Sequence, residues 1–261
     1  MAVTGWAAGD CPADGSYSAA TDLLFGGRVS LEQPARGTGY RVNVDSLLLA
    51  AFASDAAIKR DRITSFDLGA GAGAVALAVL HLGGAGRVVL VEIDPVTAAM
   101  ARRNLHENGW GDVSEVVVGD VRDVASARRG EAQLVVCNPP YVERGRGRPC
   151  ADPARARARS GALHPFVLAA RDVCGRRARV CFVYPARELS TLTLLLRGAG
   201  LEPKRLRFVH ATARSRARIA LVEAQAAKSG GLSVLPPLIE REGKGDSEEI
   251  AALLARGPRQ A

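Results

Sequence analysis

The chain has 261 residues, 48% of them hydrophobic and 24% charged, with a formal net charge of +8. That length buries one sizeable core with room for a tail or flap, and no run approaches the roughly 18 apolar residues a membrane-spanning helix needs. Five cysteines, Cys11, Cys137, Cys150, Cys174 and Cys181, form no C-x-x-C pair and leave an odd count. This argues against a disulfide framework and against a metal site, and implies a reduced, cytoplasmic setting with Cys137 and Cys181 as packed thiols.

In chain order, residues 1–20 lack the basic start and apolar centre of a signal peptide and read as a disordered leader. Gln33-Pro34 and then Gly39-Tyr40-Arg41-Val42-Asn43-Val44-Asp45-Ser46 read as an extended stretch entering a helix. Asn43 or Asp45 is placed to cap that helix, and Leu47, Leu48, Ala51 and Phe52 form its buried face. Residues 62–68 read as a buried strand running into Asp67-Leu68-Gly69-Ala70-Gly71-Ala72-Gly73 and an apolar helix over 74–82. A glycine-rich turn between strand and helix lets a nucleotide-like ligand approach the backbone closely. The spacing is Gly-x-Gly-x-Gly after an acid, not the dinucleotide pattern Gly-x-Gly-x-x-Gly. A second strand, 87–91, ends in Glu92-Ile93-Asp94, where a carboxylate can take ribose hydroxyls. Asp94 before Pro95 reads as the N-cap of a helix over 96–108.

Strands over 114–118 and 133–137 follow, the first ending at Gly119-Asp120 and the second at Asn138-Pro139-Pro140-Tyr141. An exocyclic amine on adenine or an amide is a poor nucleophile because its lone pair is delocalised. An Asn oxygen and a Pro carbonyl at a strand end can both accept hydrogen bonds from that amine and bias its lone pair toward an electrophile. Two prolines fix φ and remove donors, and Tyr141 offers a face on which a flipped base can stack. Read alone, the same turn is also a rigid loop. Strands over 179–184, 206–210 and 219–223 complete the set, the last two as an antiparallel pair. Such alternation of β and α units predicts an α/β domain over 21–225, with 226–261 as a tail packing on or extending it.

Charge changes at the proline turn. Residues 1–137 hold 12 Lys/Arg and 16 Asp/Glu, net −4, whereas 138–261 hold 23 and 11, net +12. Arg144, Arg146, Arg148, Arg155, Arg157 and Arg159 crowd one Gly- and Pro-containing segment, which points to nucleic acid. Further groups follow at Arg176, Arg177 and Arg179, at Lys204, Arg205 and Arg207, and at Arg214, Arg216 and Arg218. Singly, each of these reads as a solvated surface cation.

The ordered set of Asp67–Gly73, Glu92, Gly119-Asp120 and Asn138–Tyr141 resembles the successive motifs of class I S-adenosylmethionine-dependent N-methyltransferases. The resemblance implies a Rossmann-like, seven-stranded, mostly parallel sheet of order 3-2-1-4-5-7-6 with helices on both faces. It implies that Gly69, Gly71 and Gly73 line the methionine end of S-adenosyl-L-methionine and that Asp67 meets its amino group. Glu92 with Ile93 would meet its ribose, and Asp120 with Val121 its adenine. Asp120 also reads as a turn residue, with Asp123 as a rival. Residues 33–50 are similar to the entry segment of bacterial tRNA adenine-N6-methyltransferases that modify adenine 37 of a valine tRNA, and by that likeness Arg41 and Asp45 lie over the cofactor. The pair 202–210 and 220–224 and the tail 231–239 resemble the same family, so the likeness runs from about residue 21 to 254. One departure stands out: family members often carry Ala-Arg-x-Glu after the acceptor turn, whereas Ala158-Arg159-Ser160-Gly161 lacks the acid.

The expected partner is therefore RNA, tRNA foremost, with Asn138, Pro139, Pro140 and Tyr141 catalytic. A glutamine-N5 methyltransferase of a release factor or ribosomal protein ranks second, because those enzymes usually carry a separate helical domain before the cofactor motif. A guanine-N2 methyltransferase ranks third. A non-catalytic RNA-binding protein on the same fold and a nicotinamide-dependent dehydrogenase are the readings from other classes.

Overall fold

The computed structural model describes residues 19–35, 44–55, 63–140 and 163–257. The strands are β1 (Ala19–Leu24), β2 (Val29–Pro34), β3 (Thr64–Leu68), β4 (Arg87–Glu92), β5 (Ser114–Val118), β6 (Ala132–Cys137), β7 (Cys174–Pro185), β8 (Glu202–His210) and β9 (Ala217–Gln225). The helices are α1 (Val44–Ser54), α2 (Ala74–His81), α3 (Pro95–Glu107), α4 (Val121–Ala127), α5 (Leu163–Val173) and α6 (Leu189–Gly198). The tail adds the two-residue strands β10 (Ser233–Val234), β11 (Leu238–Ile239), β12 (Arg241–Glu242) and β13 (Gly245–Asp246), then helix α7 (Glu248–Leu254).

The central sheet runs β5-β4-β3-β6-β7-β9-β8, parallel except for β9, which is antiparallel to both neighbours. This is the expected order 3-2-1-4-5-7-6. The inner strands are covered on both faces, and their stretches Val88–Val91, Leu134–Cys137 and Val180–Val183 are continuous buried apolar runs. Successive side chains separate the two cores. Val88, Leu90, Leu134, Val136, Cys181 and Val183 join α1, α2, α3 and α7. On the other face, Val89, Val91, Val135, Cys137, Val180 and Phe182 join α4, α5 and α6. Cys137 and Cys181 are fully buried, as expected of packed thiols; burial pushes Cys137 well above the usual thiol range and Cys181 up to about 12.

Two features extend the sheet domain. Strands β10 and β11 pair in parallel with the free edge of β8, and β1 and β2 form a hairpin. Phe25, in the hairpin turn, holds φ at +52°, a conformation costly for a bulky residue. Its ring is buried against His81, with centroids 4.4 Å apart.

The hairpin is docked on α3 by two asparagines one helical turn apart. Asn104, fully buried, accepts from Glu32 N (2.7 Å) and donates to Glu32 O and to Ala72 O (both 2.8 Å). Asn108 accepts from Ser30 N (2.9 Å) and donates to Ser30 O (2.8 Å). Residues i and i+4 share a helix face, and residues two apart share one edge of a strand. The two amides thus act as a further strand for β2, with Arg103 gripping Glu32 beside them at 2.8 and 2.9 Å. The contact from Asn104 to Ala72 joins this support to the glycine turn.

Several expectations need correction. Helix α1 is buried nearly all round, with Leu49, Ala50 and Ala53 inside and Ala51 only partly so. Of the two cap candidates, Asp45 lies within the first turn of the helix, and Asn43 lies outside the described residues. The later arginines are not all solvated: Arg179 is 5% exposed and pairs with Glu223. Arg205 also pairs with Glu223, Arg207 with Glu249, and Arg218 with Asp45 and Glu240. Arg179, Arg205, Arg207 and Arg218 are therefore tied into ion pairs rather than standing as solvated surface cations.

Candidate active site

The register places the motif residues along one rim. At the carboxyl ends of the parallel strands, Val118 of β5 lies opposite Glu92 of β4, and Val91 opposite Leu68 of β3. Asp67 lies opposite Val136 of β6, and Cys137 opposite Phe182 of β7. The glycine turn follows Leu68 and Asn138 follows Cys137, so both open at the same crevice, where ligands of open α/β sheets bind.

Gly69, Gly71 and Gly73 all take positive φ, at +73°, +57° and +88°. Gly73 occupies the N-cap of α2 and offers no side-chain acceptor. Asp67 supplies one from the strand: its Oδ2 accepts from Ala76 N at 3.1 Å. An N-cap side chain ordinarily bonds this same N–H, three residues into the helix. Asp67 is 2% exposed, and burial, partly offset by the Ala76 N–H, raises its carboxyl to about 7. Among the described residues no donor reaches its Oδ1.

Glu92 ties the turn to the neighbouring strand. Its Oε2 accepts from Gly71 N (2.8 Å) and its Oε1 from Asp94 N (2.9 Å). Burial pushes its carboxyl up while those two N–H groups hold it down, the net direction being upward. Each oxygen takes one of these bonds and keeps acceptor capacity for a hydroxyl. Beside it, Ile93 and Val118 are exposed, at 39% and 43%. Two bare aliphatic side chains at this rim suit the faces of a heteroaromatic ring. A Cβ on Gly71 would meet no atom of the described residues within 4 Å, so the backbone there faces open space that a ligand can enter.

The remaining candidates divide. Asp94 is the N-cap of α3, accepting from Val96 N at 3.2 Å with Pro95 at the first helical position. Asp120 caps α4 by accepting from Arg122 N at 2.8 Å, which is the turn role left open for it, and Val121 is buried at the start of that helix. Asp45, 1% exposed, has both oxygens gripped by Arg218 (2.6 and 3.0 Å). Asn138 donates from Nδ2 to Ser46 Oγ of α1 at 3.1 Å, and Pro139 is buried beside it. Ser46, Asn104 and Arg218 were not expected to support the site. Arg41, Tyr141 and the run Arg144, Arg146, Arg148, Arg155, Arg157 and Arg159 lie outside the described residues. Among the described residues no group of three or more His, Cys, Asp or Glu is placed to hold a metal.

Comparison with known proteins agrees with this geometry. Residues 43–151 match the methyltransferase small domain. That domain spans the glycine turn, Glu92 and the Asn-Pro-Pro-Tyr turn. The curated tRNA1(Val) (adenine(37)-N6)-methyltransferase of Escherichia coli (strain SE11) is 30% identical over 137 residues, 51% of this chain and 54% of that protein. The same figures hold for its namesake from Shigella flexneri. The chain thus spans about half the length of the curated relatives it matches. Among solved structures, a predicted O-methyltransferase from Agrobacterium tumefaciens superposes with a TM-score of 0.62 at 24% identity, covering 82% of this chain and 98% of that one. P. horikoshii TYW2, solved in complex with MeSAdo, gives 0.57 at 16% identity, covering 82% and 74%. Fold and sheet order are those of the class I methyltransferases.

Proposed function

We propose that the chain is an S-adenosyl-L-methionine-dependent methyltransferase of the cytoplasm that acts on N6 of an adenine in RNA, with adenine 37 of a valine tRNA as the substrate. The observation that carries this reading is Asn138, held by its amide nitrogen at the strand end beside an open glycine turn.

The residues present fit the cofactor. Asp67 Oδ1 suits an amino group, the two Glu92 oxygens suit the ribose hydroxyls, and Ile93 and Val118 suit the faces of the adenine. Gly69, Gly71 and Gly73 leave room for the chain to pass close to the backbone. When bound, S-adenosylmethionine supplies a sulfonium methyl as the electrophile. Asn138 Oδ1 and the Pro139 carbonyl accept the two protons of the acceptor amine and keep its lone pair out of conjugation with the ring. Tyr141 stacks on the base, and Arg144, Arg146, Arg148, Arg155, Arg157 and Arg159 meet the phosphates. Positioning and electrostatic bias then supply most of the rate. The extra proton on the methylated nitrogen is acidic and passes to water.

Asn138→Ala tests the assignment. Turnover on bulk tRNA with labelled S-adenosylmethionine should disappear while calorimetric affinity for S-adenosylhomocysteine stays nearly unchanged. Equal loss of both would remove Asn138 from the role given to it.

A further inference from the structure

Strand register fixes which half of the rim is left for the acceptor. The glycine turn, Glu92 with Ile93, and Val118 stand at the ends of β3, β4 and β5. Asn138 follows β6, and β7, β9 and β8 lie beyond it in that order. Strand β7 is parallel to β6, and β9 is antiparallel to β7 with Pro185 opposite Ile219. Strand β8 is antiparallel to β9 with His210 opposite Ala217. The turn 211–216 between β8 and β9 therefore stands on the same rim as Asn138, on the side away from the glycine turn. At about 5 Å per strand spacing it lies about 10–15 Å from the end of β6.

That turn carries two arginines in a fixed frame. Ser215, between them, closes it: its N–H and its hydroxyl donate to Thr212 O at 3.0 and 2.8 Å, and its Oγ accepts from Thr212 N at 2.9 Å. Ser215 O meets His210 Nδ1 at 2.8 Å, and the tail holds the base of the turn through Glu240 N to His210 O (2.8 Å) and Arg241 N to Ala211 O (3.1 Å). Arg214 and Arg216 are exposed, and neither meets a carboxylate among the described residues. Arg218, two residues on, is used differently. It donates to both oxygens of Asp45, at 2.6 and 3.0 Å, and pairs with Glu240. Asp45 precedes Ser46, whose hydroxyl contacts Asn138 at 3.1 Å, so the cationic turn is tied to the acceptor turn through the start of α1. Elsewhere on this half of the rim the charges offset one another. Arg187 stands beside Glu188 at 3.9 Å, and the β12–β13 hairpin sets Arg241 and Lys244 against Glu242 and Asp246. The unbalanced charge lies at Arg214 and Arg216.

We propose that Arg214 and Arg216 form a phosphate-binding prong that grips the backbone of the substrate RNA a few nucleotides from the base held at Asn138, a proposal that rests on the RNA methyl-transfer reading of the site. A planar guanidinium donates two parallel N–H bonds to a phosphate, and a turn already fixed in shape loses little freedom on binding. Each phosphate contact removed should flatten the plot of log affinity against log salt by about 0.7–0.9. The double variant Arg214→Ala with Arg216→Ala should therefore bind bulk tRNA about tenfold more weakly at low salt, with the slope reduced by about 1.5. KM for tRNA should rise in step, while kcat at saturating tRNA and calorimetric affinity for S-adenosylhomocysteine stay unchanged. Arg214→Lys with Arg216→Lys, which keeps the charge, should keep most of the slope. The charge-matched control is Arg176→Ala with Arg177→Ala, two exposed arginines near the start of β7 at the opposite end of the sheet, which should leave affinity and slope at wild-type values. Equal weakening in the two alanine pairs would mean general attraction to a cationic protein and would overturn the prong. So would wild-type affinity and slope in Arg214→Ala with Arg216→Ala, alongside a wild type that methylates tRNA. A wild type that transfers no label to tRNA would instead overturn the reading of the site on which the prong depends.

Discussion

Asp67 stands at 2% exposure with its carboxyl raised to about 7, because burial opposes its charge more than the Ala76 N–H favours it. The unfolded chain releases that proton near the ordinary carboxyl value of 3.8. Between those two values the folded state binds the extra proton, so stability is fullest below the lower one and falls as pH rises through the upper one. Over pH 5 to 8 the carboxyl should remove about 2–3 kcal/mol, at about 1.4 kcal/mol per unit of displacement. Asp67→Asn keeps an acceptor for Ala76 N and deletes the titration. Urea unfolding at pH 5, 6, 7 and 8 should show the wild type losing ground to the variant by that amount as pH rises. Parallel curves for the two proteins would mean that Asp67 does not take up a proton over this range. On the proposed function, a cationic amino group docking at Oδ1 stabilises the ionised form. Calorimetric binding of S-adenosylhomocysteine near pH 7 should then release protons, and Asp67→Asn should abolish that release.

Gly71→Ala places a methyl in open space at φ +57°, so it should cost only about 1–2 kcal/mol of backbone strain yet weaken S-adenosylhomocysteine binding by calorimetry. Gly73→Ala sets a Cβ 3.2 Å from Leu90 and 3.4 Å from Ala101, and should cost about 1–3 kcal/mol more from overpacking, read as a lower urea midpoint. Asn104→Ala strands the amide and carbonyl of Glu32 and the carbonyl of Ala72. It should cost about 3 kcal/mol or more and raise hydrogen exchange in β2 before the central sheet.

The central sheet was legible because its inner strands carry apolar runs on both faces and are punctuated by glycine, proline and aspartate at the turns. Asp94 before Pro95 announced a cap, and the structure has one. The hairpin was not legible. Its strands alternate only over six residues each, and its docking depends on Asn104 and Asn108, whose spacing of four hints at a shared face but names no partner. The tail strands β10 and β11 are two residues long and exist only because β8 offers an edge. In the site, the motif residues were visible in sequence, but what holds them was not. Ser46 reaches Asn138, and Arg218 reaches Asp45 across 173 positions, through contacts that no local pattern encodes. The same long-range pairing explains why arginines that look like free surface charge are partners of Glu223, Glu240 and Glu249.

The proposed function stands or falls on the acceptor. Incubating the full chain with bulk tRNA and labelled S-adenosylmethionine, followed by nucleoside mass spectrometry, addresses it directly. The label should appear in N6-methyladenosine; label confined to protein glutamine, or none transferred to tRNA, would rule out adenine in RNA as the acceptor.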